Sequence, residues 1–118
     1  VAIFEVESWT VVEGKEKEHD EAMRQWLSWV KEHKELFGEW KSVRYFAKYV
    51  AGESSGRHLV MWEYETLTAF EAYKQRRQDY EGPYAEYKEN DPYYKGVFDH
   101  SRMTMEFWQD VDRDLWIE

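Results

Sequence analysis

The chain has 118 residues, 42% of them hydrophobic and 19% aromatic, with no cysteine and a net charge of −9 from 25 acidic and 16 basic side chains. A chain of this length buries about two-thirds of its unfolded surface, and its aromatic content excludes disorder. The missing thiols exclude disulfides and zinc–thiolate centres, while the acidic balance argues against nucleic acid and anionic membranes as partners.

Residues 2–12 alternate as a strand, with Phe4, Val6 and Ser8 on one face and Ile3, Glu5, Glu7 and Trp9 on the other. From about Lys15 to Phe37, the residues Met23, Trp26, Leu27, Val30 and Phe37 recur at helical spacing, and Gly38 is placed for a left-handed stop. Trp40–Ala51, rich in β-branched and aromatic residues, reads as a second strand. The turn Gly52–Gly56 is too short for a crossover, so a third strand, Arg57–Glu65, returns antiparallel.

Thr68-x-x-Glu71 predicts a capping box, with Leu67 and Ala72 as a staple, at the head of a helix through Phe70, Tyr73 and Arg77. This helix holds the only small basic cluster, Lys74, Arg76 and Arg77. Gly82-Pro83 interrupts the pattern, a short helix follows through Tyr84 and Tyr87, and Asp91-Pro92 ends it. The last strand runs from Arg102 to about Val111, and a tail occupies about 113–118. No linker or repeat appears, so one domain over 1–118 is expected.

This order predicts an α+β, ferredoxin-like βαββαβ fold: a four-stranded antiparallel sheet, order 4-1-3-2, with helices on one face. Phe4, Val6, Val60, Trp62, Met105 and Phe107 are expected beneath the helices, and Ile3, Trp9, Phe46, Met61 and Trp108 on the other face. That second apolar face is large for a monomer, so a homodimer joined through its sheets is expected.

The stretch His58–Tyr73, HLVMWEYETLTAFEAY, resembles the strand-to-helix signature of the dimeric α/β-barrel proteins at Trp62, Glu63, Ala69, Phe70 and Tyr73. The similarity is greatest to the antibiotic-biosynthesis monooxygenase-like and stress-responsive barrel groups. It implies a dimeric barrel, but a wide range of roles: cofactor-independent monooxygenases, haem-degrading enzymes, isomerases and proteins without known activity. Haem-degrading members carry an axial His on the second helical segment, whereas here Tyr80, Tyr84 and Tyr87 occupy that region without one. No cofactor is therefore expected.

On the expected faces Glu5, Glu7, Glu63 and Glu106 point into the dimer barrel, and Trp9 and Trp108 wall it for a planar ligand. Crowded carboxylates in low dielectric suit acid–base work or a hard cation; the alternative is a set of solvated or salt-bridged strand ends. These six are the candidate ligand-binding residues, with no catalytic residue assigned and no metal centre expected. The histidines His19, His33, His58 and His100 lack metal-ligand spacing and read as structural or surface groups. Tyr80, Tyr84, Tyr87, Tyr93 and Tyr94 either line a pocket mouth or fasten a short helix to the core. Trp116, on a terminus that would otherwise fray, is expected at the subunit boundary.

The function expected is that of a cytoplasmic barrel protein binding a small hydrophobic or aromatic molecule, either between sheet and helices or in the barrel. The alternatives are a cofactor-independent monooxygenase or isomerase, and a structural or interaction module without a ligand. With no apolar run near 18 residues, no membrane partner is expected. Abundant Glu and Lys beside one Asn and four Gln resemble thermophile usage.

Overall fold

A computed structural model describes residues 2–50 and 56–118. Strand β1 (Ile3–Thr10) lies inside the sheet, paired antiparallel with β3 (Arg57–Tyr64) and β4 (Thr104–Gln109), and β2 (Trp40–Ala47) pairs with β3. The order β2-β3-β1-β4 is the ferredoxin-like arrangement that the element order predicts. Helices α1 (Glu16–Glu32), α2 (Leu67–Arg77) and α3 (Tyr84–Asn90) cover one face, where Met23, Trp26, Tyr73 and Tyr87 join Trp9, Val60, Trp62 and Tyr64 in the core.

Strand β1 is turned over relative to the sequence expectation. Ile3, Glu5, Glu7 and Trp9 stand opposite Tyr64, Trp62, Val60 and His58, on the helix side. Phe4 and Val6 instead share the open face with Met61, Phe46 and Trp108. Both faces of β1 carry large apolar groups, so its own alternation does not decide the matter. The strongly patterned stripe of β3 does, through cross-strand pairing. Val60, Trp62, Met105 and Phe107 lie on the helix side as expected, with Phe107 packed on Phe70 of α2 at 4.9 Å between ring centroids.

Several boundaries move for identifiable reasons. Helix α1 stops at Glu32 because the backbone N–H of His33 bonds to Val30, and the His33 ring takes over the Trp29 carbonyl at 2.8 Å. A 3₁₀ turn, Lys34–Phe37, follows, and Gly38 stays right-handed at φ −59°, so the left-handed stop is not used. Helix α2 is capped by Thr66, whose extended backbone lets Oγ1 accept from the Ala69 N–H at 3.1 Å. The predicted capping box at Thr68 is thus two residues late, and Leu67 is exposed rather than stapled.

Strand β2 ends at Ala47, and most of the expected turn Gly52–Gly56 lies outside the described residues. Strand β4 is likewise shorter than its expected 102–111.

After α2 the backbone passes through three left-handed non-glycine residues, Gln78, Asp79 and Tyr80 (φ 23°, 57° and 59°). Such a conformation costs on the order of 1 kcal/mol per residue. It turns Tyr80 back over the helix, where its ring meets the Arg77 guanidinium at 4.4 Å and its hydroxyl donates to Asp91 at 3.1 Å. The tail docks on the open face of its own chain. Arg113 bridges Glu63 at 3.1 Å and Asp110 at 3.5 Å, and lies 3.9 Å from the Trp116 ring. Trp116 lies against Phe4 and donates its indole N–H to Asp110 at 2.8 Å.

Candidate functional site

A cavity of about 230 Å³ lies between the sheet and the helices. Strand alternation aims Glu5, Glu7 and Trp9 of β1 into it, and the i, i+3 spacing of Lys74 and Arg77 sets both cations on the cavity side of α2. Trp26, Trp40 and Trp62 supply flat walls, while Tyr93 and Tyr94, both partly exposed, form part of the rim. The volume is below the roughly 300–1,000 Å³ of sites for drug-sized ligands, so it suits a single ring with short substituents.

The polar groups are held at defined positions. Trp40 donates its indole N–H to the Tyr64 hydroxyl at 3.0 Å, and that hydroxyl donates to Glu5 at 3.4 Å. Glu5 is only 3% exposed, and burial raises its pKa against the opposing pull of Lys74 and Arg77. Glu7 is pushed up to about 7 by burial and by the charges of Glu5 and Asp91. Asp91 is also raised by burial, although it accepts from the Tyr80 hydroxyl and the Tyr93 N–H.

Lys74 is lowered, first by burial and then by its neighbour Arg77, with Glu5, Glu7 and Asp91 pulling the other way. Among the described residues neither Lys74 nor Arg77 closes an ion pair within 4.0 Å. The buried indole N–H of Trp62, another wall residue, has no hydrogen-bond partner among them. A buried donor without a partner costs about 1–3 kcal/mol, which an occupant bearing an acceptor relieves.

Trp9 is fixed from behind. Its ring stacks on Phe98 at 4.2 Å, and its indole N–H donates to Nε2 of the fully buried His19 at 2.9 Å. Since Nε2 accepts, the proton of His19 sits on Nδ1 and points to Asp20 at 3.0 Å. His58 packs 4.5 Å from His19 and accepts from or donates to the Tyr45 hydroxyl at 2.7 Å. Its pKa is lowered by burial and by that second imidazole.

The six candidate residues do not form one site, because the sheet divides them. Glu5, Glu7 and Trp9 line the cavity; Glu63, Glu106 and Trp108 lie on the opposite face. Glu63 accepts from Ser42 at 2.9 Å and from Arg113 at 3.1 Å, a contact that anchors the tail. Glu106 and Trp108 are exposed on β4. Sequence reasoning missed Lys74, Arg77 and Asp91 as site residues; the signal available was the basic pair on the same helix face as Phe70. Of the tyrosines, Tyr80, Tyr87, Tyr93 and Tyr94 line the cavity, while Tyr84 fastens its helix to the Leu36 carbonyl at 2.6 Å.

Among the described residues no group of three His, Asp or Glu side chains is placed to hold a metal ion, and no helix is long and apolar enough to cross a membrane.

No family model and no curated protein matches the sequence. The fold is similar to that of a NIPSNAP family protein from Agrobacterium tumefaciens, with a TM-score of 0.69 and 14% identity over 96% of each chain. It is also similar to a Caulobacter crescentus protein provisionally assigned as an antibiotic biosynthesis monooxygenase, with a TM-score of 0.62 and 14% identity over 94% of this chain and 91% of that one. A dimeric ferredoxin-like protein of unknown function from Bacteroides fragilis matches with a TM-score of 0.62 and 7% identity over 92% of this chain and 96% of that one. At such identities the likeness establishes the fold alone.

Proposed function

We propose that this chain binds small aromatic molecules bearing an acidic hydroxyl, in the cavity between the sheet and the helices. One observation supports the reading above the others: indole walls enclose a carboxyl, Glu7, titrating at about 7, and two cations, Lys74 and Arg77. The ring stacks on the indoles, Glu7 takes the hydroxyl proton, and Lys74 and Arg77 stabilise the resulting oxyanion. The Trp62 N–H supplies a further donor. The expected location of the protein is the cytoplasm.

Titration with 4-nitrophenol tests this, because its absorption separates phenol from phenolate. Saturable binding as the phenolate is expected, weakened at least tenfold in Arg77→Met, as loss of a hydrogen bond to a charged group implies. Absence of binding at millimolar ligand would sink the reading and leave the ligand-free interaction module.

A second reading makes the same site catalytic, as a cofactor-independent monooxygenase or isomerase with Glu7 as base. It is favoured by the Glu7 pKa of about 7, since a base poised near the working pH contributes about 10²–10⁴-fold. Oxygen uptake or isomerisation of a hydroxylated aromatic, lost in Glu7→Gln, is the result this reading requires.

The open sheet face carries a separate role. We propose that it pairs two copies of the chain, with Phe46 and Trp108 exposed there and the tail beside them. The dimeric Bacteroides fragilis protein of the same fold supports this assembly. Glu63, Glu106 and Trp108 then belong to the subunit contact rather than to the ligand.

A further inference from the structure

We propose that Lys74 captures small aromatic aldehydes in the cavity as a Schiff base. The inference rests on the cavity being the ligand site, and adds to it a covalent class of ligand. Lys74 alone among the described lysines is not solvent-exposed. Its Nζ lies 5.4 Å from the Phe70 ring centroid and 5.9 Å from that of Tyr73. Around the cavity it faces Glu5, Glu7 and Asp91, and Arg77 lies one turn along its own helix.

An amine attacks a carbonyl only when unprotonated; Lys74 is the cation facing a bound oxyanion, and partial burial beside a guanidinium eases its loss of a proton when a neutral aldehyde is bound instead. Among the described residues no carboxylate pairs with the nitrogen within 4.0 Å. The indole walls hold the aryl group flat.

The chemistry needs no oxidant or cofactor. The Nζ lone pair adds to the carbonyl carbon as the C=O π bond opens, and one N–H proton moves through a carboxylate to the oxygen, giving a carbinolamine. Protonated Glu7 then gives its proton to that hydroxyl. The C–O bond breaks, water leaves, and the nitrogen lone pair closes the C=N bond. The product is an iminium facing the Glu7 carboxylate, with water the only by-product.

The test is to incubate the chain with benzaldehyde, reduce with sodium cyanoborohydride, and map the benzylated lysines by peptide mass spectrometry. Benzyl alcohol, which has the ring without the carbonyl, reports cavity binding separately through tryptophan emission. Labelling of Lys74 at least tenfold faster than of any exposed lysine, with protection by excess benzyl alcohol, is expected.

Labelling confined to exposed lysines while benzyl alcohol still binds would overturn the Schiff base and leave the binding reading intact. Failure of both probes would overturn the Schiff base, and the binding reading with it where 4-nitrophenol also fails to bind. Mapping the unaltered chain decides the point without a variant. Glu7→Gln should slow labelling of Lys74 at least tenfold, and an unchanged rate would remove Glu7 as the proton donor.

Discussion

Glu7 has the most consequential side chain in the molecule, because its proton is held by the fold. A glutamate ordinarily titrates at 4.5, whereas folded Glu7 does so at about 7. Between those values the folded chain keeps a proton that the unfolded chain has released, so stability falls as pH rises from about 4.5 to 7. The loss from this residue is on the order of 3 kcal/mol. Glu7→Gln should flatten most of that slope in urea denaturation at pH 5 and pH 7.5. A remainder is due to Glu5 and Asp91, whose pKa values are raised in the same direction, while the lowered pKa of His58 works against it. Coincident profiles for the two proteins would show that Glu7 is not held in a desolvated position. Trp9, on the same face of β1, is positioned by the hydrogen bond from its indole N–H to His19.

At the scale of elements, the order of strands and helices was legible because each carries a clear period. Strand β3 and the apolar stripe of α1 are the plainest cases. The facing of β1 was not legible, since Ile3 and Trp9 compete with Phe4 and Val6 for the core. The deciding contribution comes from β3, about fifty residues away. Placing Phe4 and Val6 beneath the helices put Glu5 and Glu7 toward the expected dimer barrel, whereas the pairing with β3 turns them to the helix side. Lys74 and Arg77 were visible as part of a basic cluster but not as inward-facing, because a charge on a helix is normally a solvated one. The α2 cap shows the finer limit, because Thr66 and Thr68 differ only in backbone geometry. Thr66→Ala should cost about 1 kcal/mol in thermal or urea unfolding. Thr68→Ala, which removes no cap, should change stability by less than about 0.5 kcal/mol; equal effects would put the cap elsewhere.

At the scale of the whole molecule, the sheet separates a cavity on one side from exposed aromatic groups on the other, the places of the proposed ligand site and the proposed subunit contact. The sequence revealed that both sides are apolar but not which residues belong to which, because a strand inverted by one position exchanges its whole set. Trp108→Asp should convert the protein to monomers in light scattering at micromolar concentration while leaving 4-nitrophenol binding in place. Retention of the dimer would place the contact elsewhere. Because β1 joins β3 to β4, neither half of the sheet is complete until this strand, with Glu5 and Glu7, has left water. Acid is therefore expected to help the chain to its destination as well as hold it there: with Glu5 and Glu7 neutral, refolding should run faster in mildly acidic solution than at neutrality, which stopped-flow tryptophan fluorescence checks.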